Sequence, residues 1–229
     1  MEEKPAQKGK LRKKMVLFLI LALIGLGLAF FLPAGSLGYW QAWLFMGVLF
    51  TPVVFVISYF LKRDPQLLER RMQFKEKEIH QKNIIRISIY VFVIGLLIPG
   101  FDYRFGWSNV PVWLVIAADV LVFAGYVLIF FVFKENSYAS RIIEVSKEQK
   151  VISTGPYAVV RHPMYVGVII MYLAMPIALG SYWALLFFIP IIPIVIFRGL
   201  NEEKMLFKDL EGYKEYCNKV KYRLIPGIW

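Results

Sequence analysis

The 229-residue sequence holds a single cysteine and two histidines. Cys217 alone excludes an internal disulfide and a cysteine-rich metal site. The histidines lack the His-Glu-x-x-His or similar spacing of a zinc site, so no metal is expected. The Gly-x-Gly-x-x-Gly fingerprint of dinucleotide-binding folds is absent as well. There is no evident internal repeat, no low-complexity tract and no long stretch of soluble-domain composition. Charge is scarce inside the apolar runs, where only Arg86 and Asp119 occur. That scarcity, with no inverted repeat, disfavours a transporter, whose path needs intramembrane polar groups.

What the chain does have is apolar surface. It is 59% hydrophobic and 17% aromatic, above the composition of a soluble domain and suited to aromatic belts at two membrane interfaces. Six apolar stretches are long enough to consider as spans: Met15–Leu32, Tyr39–Leu61, residues 84–100, Pro111–Phe133, Met164–Leu179 and Tyr182–Phe197. The first ends in Pro33-Ala-Gly-Ser without cleavage character, so it reads as an uncleaved helix rather than a signal peptide. Pro52 marks a possible kink in the second. Pro176, Pro190 and Pro193 argue that the last two stretches form a bent or tilted helical hairpin about Gly180-Ser181. Residues 62–83 read as a charged loop, helical around Asp64–Arg71, and 101–109 as a short polar connection. A charged helix is expected over 201–220, with Leu206, Leu210, Tyr213, Cys217 and Val220 on one face.

The net charge of +11 raises nucleic acid as a partner, but the positions of the charges give a simpler reading. Of 27 Lys and Arg, 25 fall in 1–14, 62–83, 134–163 and 198–229. Six spans with both termini in the cytoplasm put all four segments on one side, as the positive-inside rule requires, and no nucleic acid is needed. The expectation is therefore an all-α polytopic membrane protein with a C-terminal amphipathic helix. It is organised as one domain, with N-terminal spans in 1–134 and the polar chemistry in 135–229.

Two places concentrate chemistry-bearing residues. One is Gly155-Pro-Tyr-Ala-Val-Val-Arg-His-Pro-Met-Tyr-Val-Gly167, preceded by Gln149–Thr154. The other is Arg198-Gly-Leu-Asn-Glu-Glu203. A hairpin that starts and returns on one side brings His162 and Arg198 to the same surface, and Arg198 shares a helix face with Glu202. Plainer readings stand beside this one. Arg198 is also what a snorkelling residue with a surface ion-pair partner looks like, and His162 before Pro163 what a helix cap looks like. Tyr157 and Tyr165 suit interfacial anchoring, Asn136 and Arg141 suit a loop, and Cys217 suits packing. Asp119 faces either a polar interior or the far interface.

Together, Gly155-Pro-Tyr, Arg161-His-Pro-Met-Tyr165-Val-Gly, the apolar hairpin, Arg198…Glu202-Glu203 and Gly212-Tyr-x-x-Tyr216 resemble the isoprenylcysteine carboxyl methyltransferase family. Related patterns occur in the membrane phospholipid methyltransferases. The resemblance covers roughly 136–229 and implies an integral membrane enzyme that uses S-adenosyl-L-methionine without a Rossmann domain. By position, it places Gln149, Lys150, Val151, Ile152, Tyr157, His162, Pro163, Met164, Tyr165 and Glu202 against the methyl donor. The same resemblance gives Arg198 to the carboxylate of a lipophilic or lipidated acceptor, and makes Arg198, Glu202 and His162 the catalytic candidates. An amine acceptor, or a non-catalytic protein of the same fold, is the alternative. The chemistry agrees. A sulfonium zwitterion calls for a carboxylate and aromatic faces. A carboxylate acceptor needs only an orienting guanidinium, whereas an amine needs a base such as His162.

Overall fold

The computed structural model describes residues 5–72, 79–139 and 149–229, with backbone alone for 5–8 and 79–90. Arg141 lies outside the described residues, as does the Arg86 side chain. Every regular element among them is helical. Helices α1 (Pro5–Ala34), α2 (Trp40–Arg63), α4 (Ile79–Phe105) and α5 (Val112–Glu135) carry the first four apolar runs. The short α3 (Pro65–Arg71) follows α2; the Asp64 carboxylate accepts from the Leu67 amide at 3.0 Å and Pro65 fills the first turn, a start signal readable from sequence. A 3₁₀ turn (Gly155–Ala158) then leads to α6 (Pro163–Ala178), α7 (Leu185–Phe188), α8 (Ile191–Asp209) and α9 (Tyr213–Lys219).

The helices overrun the apolar runs because Lys, Arg, Glu and Gln are good helix formers, so a helix does not stop where apolarity does. Thus α1 begins among the N-terminal basic residues, and α4 continues to Phe105 through half of the expected polar connection. The charged helix expected over 201–220 is instead two pieces. Its first half continues from the last apolar run as α8. The chain then breaks at Gly212, whose φ of +81° only glycine adopts without strain, and α9 leaves in a new direction. Pro190 separates α7 from α8, since it has no amide proton to continue the ladder. Pro52 and Pro176 stay inside α2 and α6.

Among the described residues, four helical stretches are long and apolar enough to cross a membrane: Gly9–Ala34, Trp40–Arg63, Val112–Glu135 and Leu185–Asp209. This is fewer than the six expected. α6 is apolar but has only 16 residues, and the first turns of α4 fall where side chains are not described. The core runs through the bundle from Phe30 and Ala34 of α1, through Phe45, Val122 and Met175, to Phe188 and Val195. α5 and α6 approach most closely. A Cβ on Gly125 would lie 3.0 Å from the Gly167 carbonyl, and one on Gly167 would lie 2.9 Å from Ile129, so both positions require glycine. That contact sets the first turn of α6 against the end of α5. Asp119 on α5 is only 3% exposed, and neither of its oxygens meets a hydrogen-bond partner among the described residues.

Candidate active site

The start of α6 is where the special residues of the sequence take up their positions. His162 is the N-cap of α6 and Pro163 its first residue, but the imidazole makes no capping hydrogen bond. It points instead to α8: Nε2 lies 3.3 Å from Glu203, Nδ1 lies 4.0 Å from Glu202, and the ring stacks on Tyr165. Tyr165, one turn along, donates its hydroxyl to Glu202 at 2.7 Å. α6 and α8 therefore meet at the ends where the sequence places its charges.

Glu202 and Glu203 are neighbours on a helix and so diverge by about 100°. Only one of them can face outward. Glu203 turns inward, 3% exposed, and is held by Arg161 at 3.0 Å, by Arg223 at 2.8 Å and by His162. A carboxylate buried this deeply needs such partners, because desolvation otherwise exceeds the Coulombic gain. Arg161 also donates to the Cys217 sulfur at 3.3 Å and to the Lys221 carbonyl at 3.3 Å. The tail returns beneath the site: the amides of Arg161 and His162 donate to the carbonyls of Tyr222 and Arg223. Arg223 in turn lies over the Trp229 ring.

Outside this knot is a narrow slot of about 70 Å³. Gln149, Lys150, Val151, Ile152, Tyr157, His162, Pro163, Met164, Tyr165 and Glu202, the ten residues expected together, all line it. Arg198 does not. It is half-buried on α8 behind the slot and acts on the Tyr165 hydroxyl. The lining also contains residues that the sequence reading left out. Asn136 is the loop residue the sequence suggests, directly after α5, but it lines the slot and donates to the Tyr157 hydroxyl at 2.9 Å. Tyr213 and Tyr216 of α9 also face the slot, and Tyr216 donates to the Tyr157 carbonyl at 2.8 Å. Their spacing in Gly212-Tyr-x-x-Tyr216, one helical turn apart, was the available signal. Cys217 packs with Leu210, Val220 and Val151 and accepts from Arg161.

Burial governs the tyrosines. It pushes the Tyr157 hydroxyl up to about 12, against the lowering effect of the Asn136 hydrogen bond. Burial also raises Tyr213 and Tyr216. All three are neutral donors at physiological pH. The Tyr213 hydroxyl is buried and has no partner among the described residues. A buried orphan beside a slot is a place for a ligand's polar group. Glu202 adds a carboxylate whose second face remains open, at 32% exposure. The slot is thus suited to a molecule with a cationic group, an aromatic or heterocyclic part and several hydrogen-bonding atoms.

Comparison with known proteins bears on the same region. A stretch of 92 residues, 38% of this chain, is 30% identical to the Delta(14)-sterol reductase TM7SF2 of Mus musculus, and it spans 22% of that protein. Residues 113–211 match the phospholipid methyltransferase family, and every residue lining the slot except Tyr213 and Tyr216 falls inside that range. Residues 113–211 are thus similar to the phospholipid methyltransferases, the related pattern noted in the sequence, and the match stops short of the Gly212-Tyr-x-x-Tyr216 element.

Proposed function

We propose that the chain is a membrane methyltransferase that moves a methyl group from S-adenosyl-L-methionine to a lipophilic acceptor. The observation that carries this reading is the slot itself. The ten residues expected at a methyl donor meet there, within the family-matching stretch, beside the Tyr213 hydroxyl just past its end. When bound, the donor supplies an electrophilic methyl on a positively charged sulfur. Glu202 takes the donor's ammonium, and the Tyr157, Tyr165, Tyr213 and Tyr216 rings offer faces to its cation or its base. Tyr213 supplies a hydrogen bond that the protein leaves unmade. A slot of about 70 Å³ holds only a few waters, so binding parts the non-helical 149–152 segment from α9.

Arg198 stands behind Glu202 and Tyr165, positioned to orient an acceptor carboxylate, for which a planar guanidinium suits better than an ammonium. A prenylcysteine-like carboxylate is the preferred acceptor. It is ionised at neutral pH and needs no general base, so positioning alone supplies the rate, about 7–11 kcal/mol in favourable cases. His162 is engaged with Glu203, which disfavours it as the base that an amine acceptor needs. The clustering of basic residues in four segments supports a cytoplasmic slot and termini in one membrane domain, with the acceptor's tail in the bilayer.

The test is transfer from methyl-labelled donor by detergent-purified protein. Label in a base-labile ester supports a carboxylate, and label in a stable amine replaces it with a phospholipid-type acceptor. No binding of S-adenosylhomocysteine at millimolar concentration, read by calorimetry, ends the enzyme reading. Arg198→Ala is expected to retain donor binding and abolish ester formation. Full activity in that variant removes the carboxylate assignment.

A further inference from the structure

A second, wider cavity lies beside the slot and shares no lining residue with it. It measures about 680 Å³ and opens where the C-terminal ends of α2, α3 and α5 converge. Each helix contributes a cation: Arg63, Arg70 and Lys134. Basic residues at helix C-termini are ordinary, since they complement the dipole. Their convergence on one concavity is not. Among the described residues, Asp64 is the one carboxylate on the lining, engaged in capping α3, and none of the three cations takes part in an ion pair. Arg70 lies over the Tyr138 ring at 5.9 Å, and its Nε is buried without a hydrogen-bond partner.

The floor has the opposite character. Tyr59, Phe60 and Phe133 line it, and Phe60, 3% exposed, joins Tyr59 and Phe133 in an aromatic cluster. An aromatic floor below a cationic rim, at the ends of membrane-length helices, matches an amphiphile with an anionic head. Arg71 separates this cavity from the slot: it lies over Phe133 at 5.1 Å and reaches the Met164 sulfur at 3.8 Å.

We infer that this cavity binds the phosphate-bearing head of an anionic membrane lipid, with the root of its chains on the aromatic floor, as a site distinct from the slot. The three cations hold the phosphate and no proton or bond is exchanged. Its occupancy does not depend on what the slot methylates.

Binding of dioctanoyl phosphatidylglycerol to the full chain in a neutral detergent, by calorimetry, tests this directly. Each cation near an anionic head is worth about fivefold, so Arg63→Gln with Lys134→Gln is expected to weaken binding about thirtyfold. Both side chains are exposed, so the fold should tolerate the change. Removing the exposed Lys10, Lys13 and Lys14 from α1 in the same way is expected to change affinity less than threefold. Equal losses in the two variants would reduce the site to general basic charge and overturn it. Dioctanoylglycerol, which lacks the phosphate, is expected not to bind here; binding of it that both variants retain would also overturn the assignment. Displacement of the lipid by inorganic phosphate at matching concentration would make this a free-phosphate site and remove the amphiphile.

Discussion

Each end of the α6–α8 pair is tied by a buried carboxylate, and the two knots are made differently. At the slot end, Glu203 is held by two guanidinium groups and an imidazole. At the other end, Asp102 of α4 is 1% exposed and accepts from the Ser108 amide at 2.6 Å, the Ser108 hydroxyl at 2.7 Å and the Ser181 hydroxyl. Ser181 and Ser108 in turn receive the amides of Ala184 and Tyr182. Close by, the Tyr39 hydroxyl donates to the Leu179 carbonyl. The Asp102 knot uses neutral donors in short loops, and the cavity beside it is lined by the apolar Ile98, Trp107, Trp183 and Phe187, with no charged side chain. The Glu203 knot gathers cations from the segment before α6 and from the tail, and leaves Glu202 free to face outward. Both stabilise the turn of chain between them, but only one presents charge to a ligand.

The largest expected effect is from Glu203→Ala, which leaves Arg161 and Arg223 without their buried partner. A loss of about 3–5 kcal/mol is expected, seen as a lowered unfolding temperature in detergent together with lost donor binding. Asp102→Asn should cost less, about 1–3 kcal/mol, because the carboxamide oxygen still accepts from the Ser108 amide while its NH2 replaces the oxygen that accepts from the two serine hydroxyls. In that variant S-adenosylhomocysteine affinity should be unchanged. If it instead weakens binding as much as Glu203→Ala, the division between a structural end and a ligand end is wrong. Glu202→Gln sharpens the contrast within one helix turn. Stability should stay within about 1 kcal/mol, as for an exposed pair, while donor affinity falls at least tenfold.

The smallest effect concerns pH. Tyr157 titrates near 12 when folded, above the ordinary tyrosine value of about 10, so its neutral form stabilises the fold. That contribution is complete below pH of about 10 and is lost as pH rises through about 12. Tyr157→Phe should flatten this part of the alkaline unfolding curve, followed by tyrosinate absorbance. An unchanged curve would assign the alkaline loss to other groups.

Much of the site was legible in the chain, for a physical reason. The residues expected together at the slot come from Gln149–Ile152 and the constrained segment Gly155–Gly167 just after it, and from one helix turn that follows an apolar stretch, so local pattern and hairpin geometry suffice to pair them. The residues missed are those whose part depends on phase or on a distant return. Which of Glu202 and Glu203 points inward depends on how α8 is rotated against α6, and no local pattern records that. Arg223 reaches Glu203 only because Gly212 turns the chain and the tail comes back under His162. The helix ends were less legible, since helices follow backbone propensity past the ends of the apolar runs.

The sequence by itself determined the helical class, the segregation of basic residues to one set of ends, and the set of residues around a slot. Those depend on composition and short spacing, which the chain carries locally. Only the tertiary structure decided that Glu203 is the buried anchor and Glu202 the exposed acid. It also gave Asn136, Tyr213 and Tyr216 their places at the slot, and brought three cations to a second cavity. Each of those depends on the rotation and approach of helices far apart in the chain, which close packing sets and spacing does not encode.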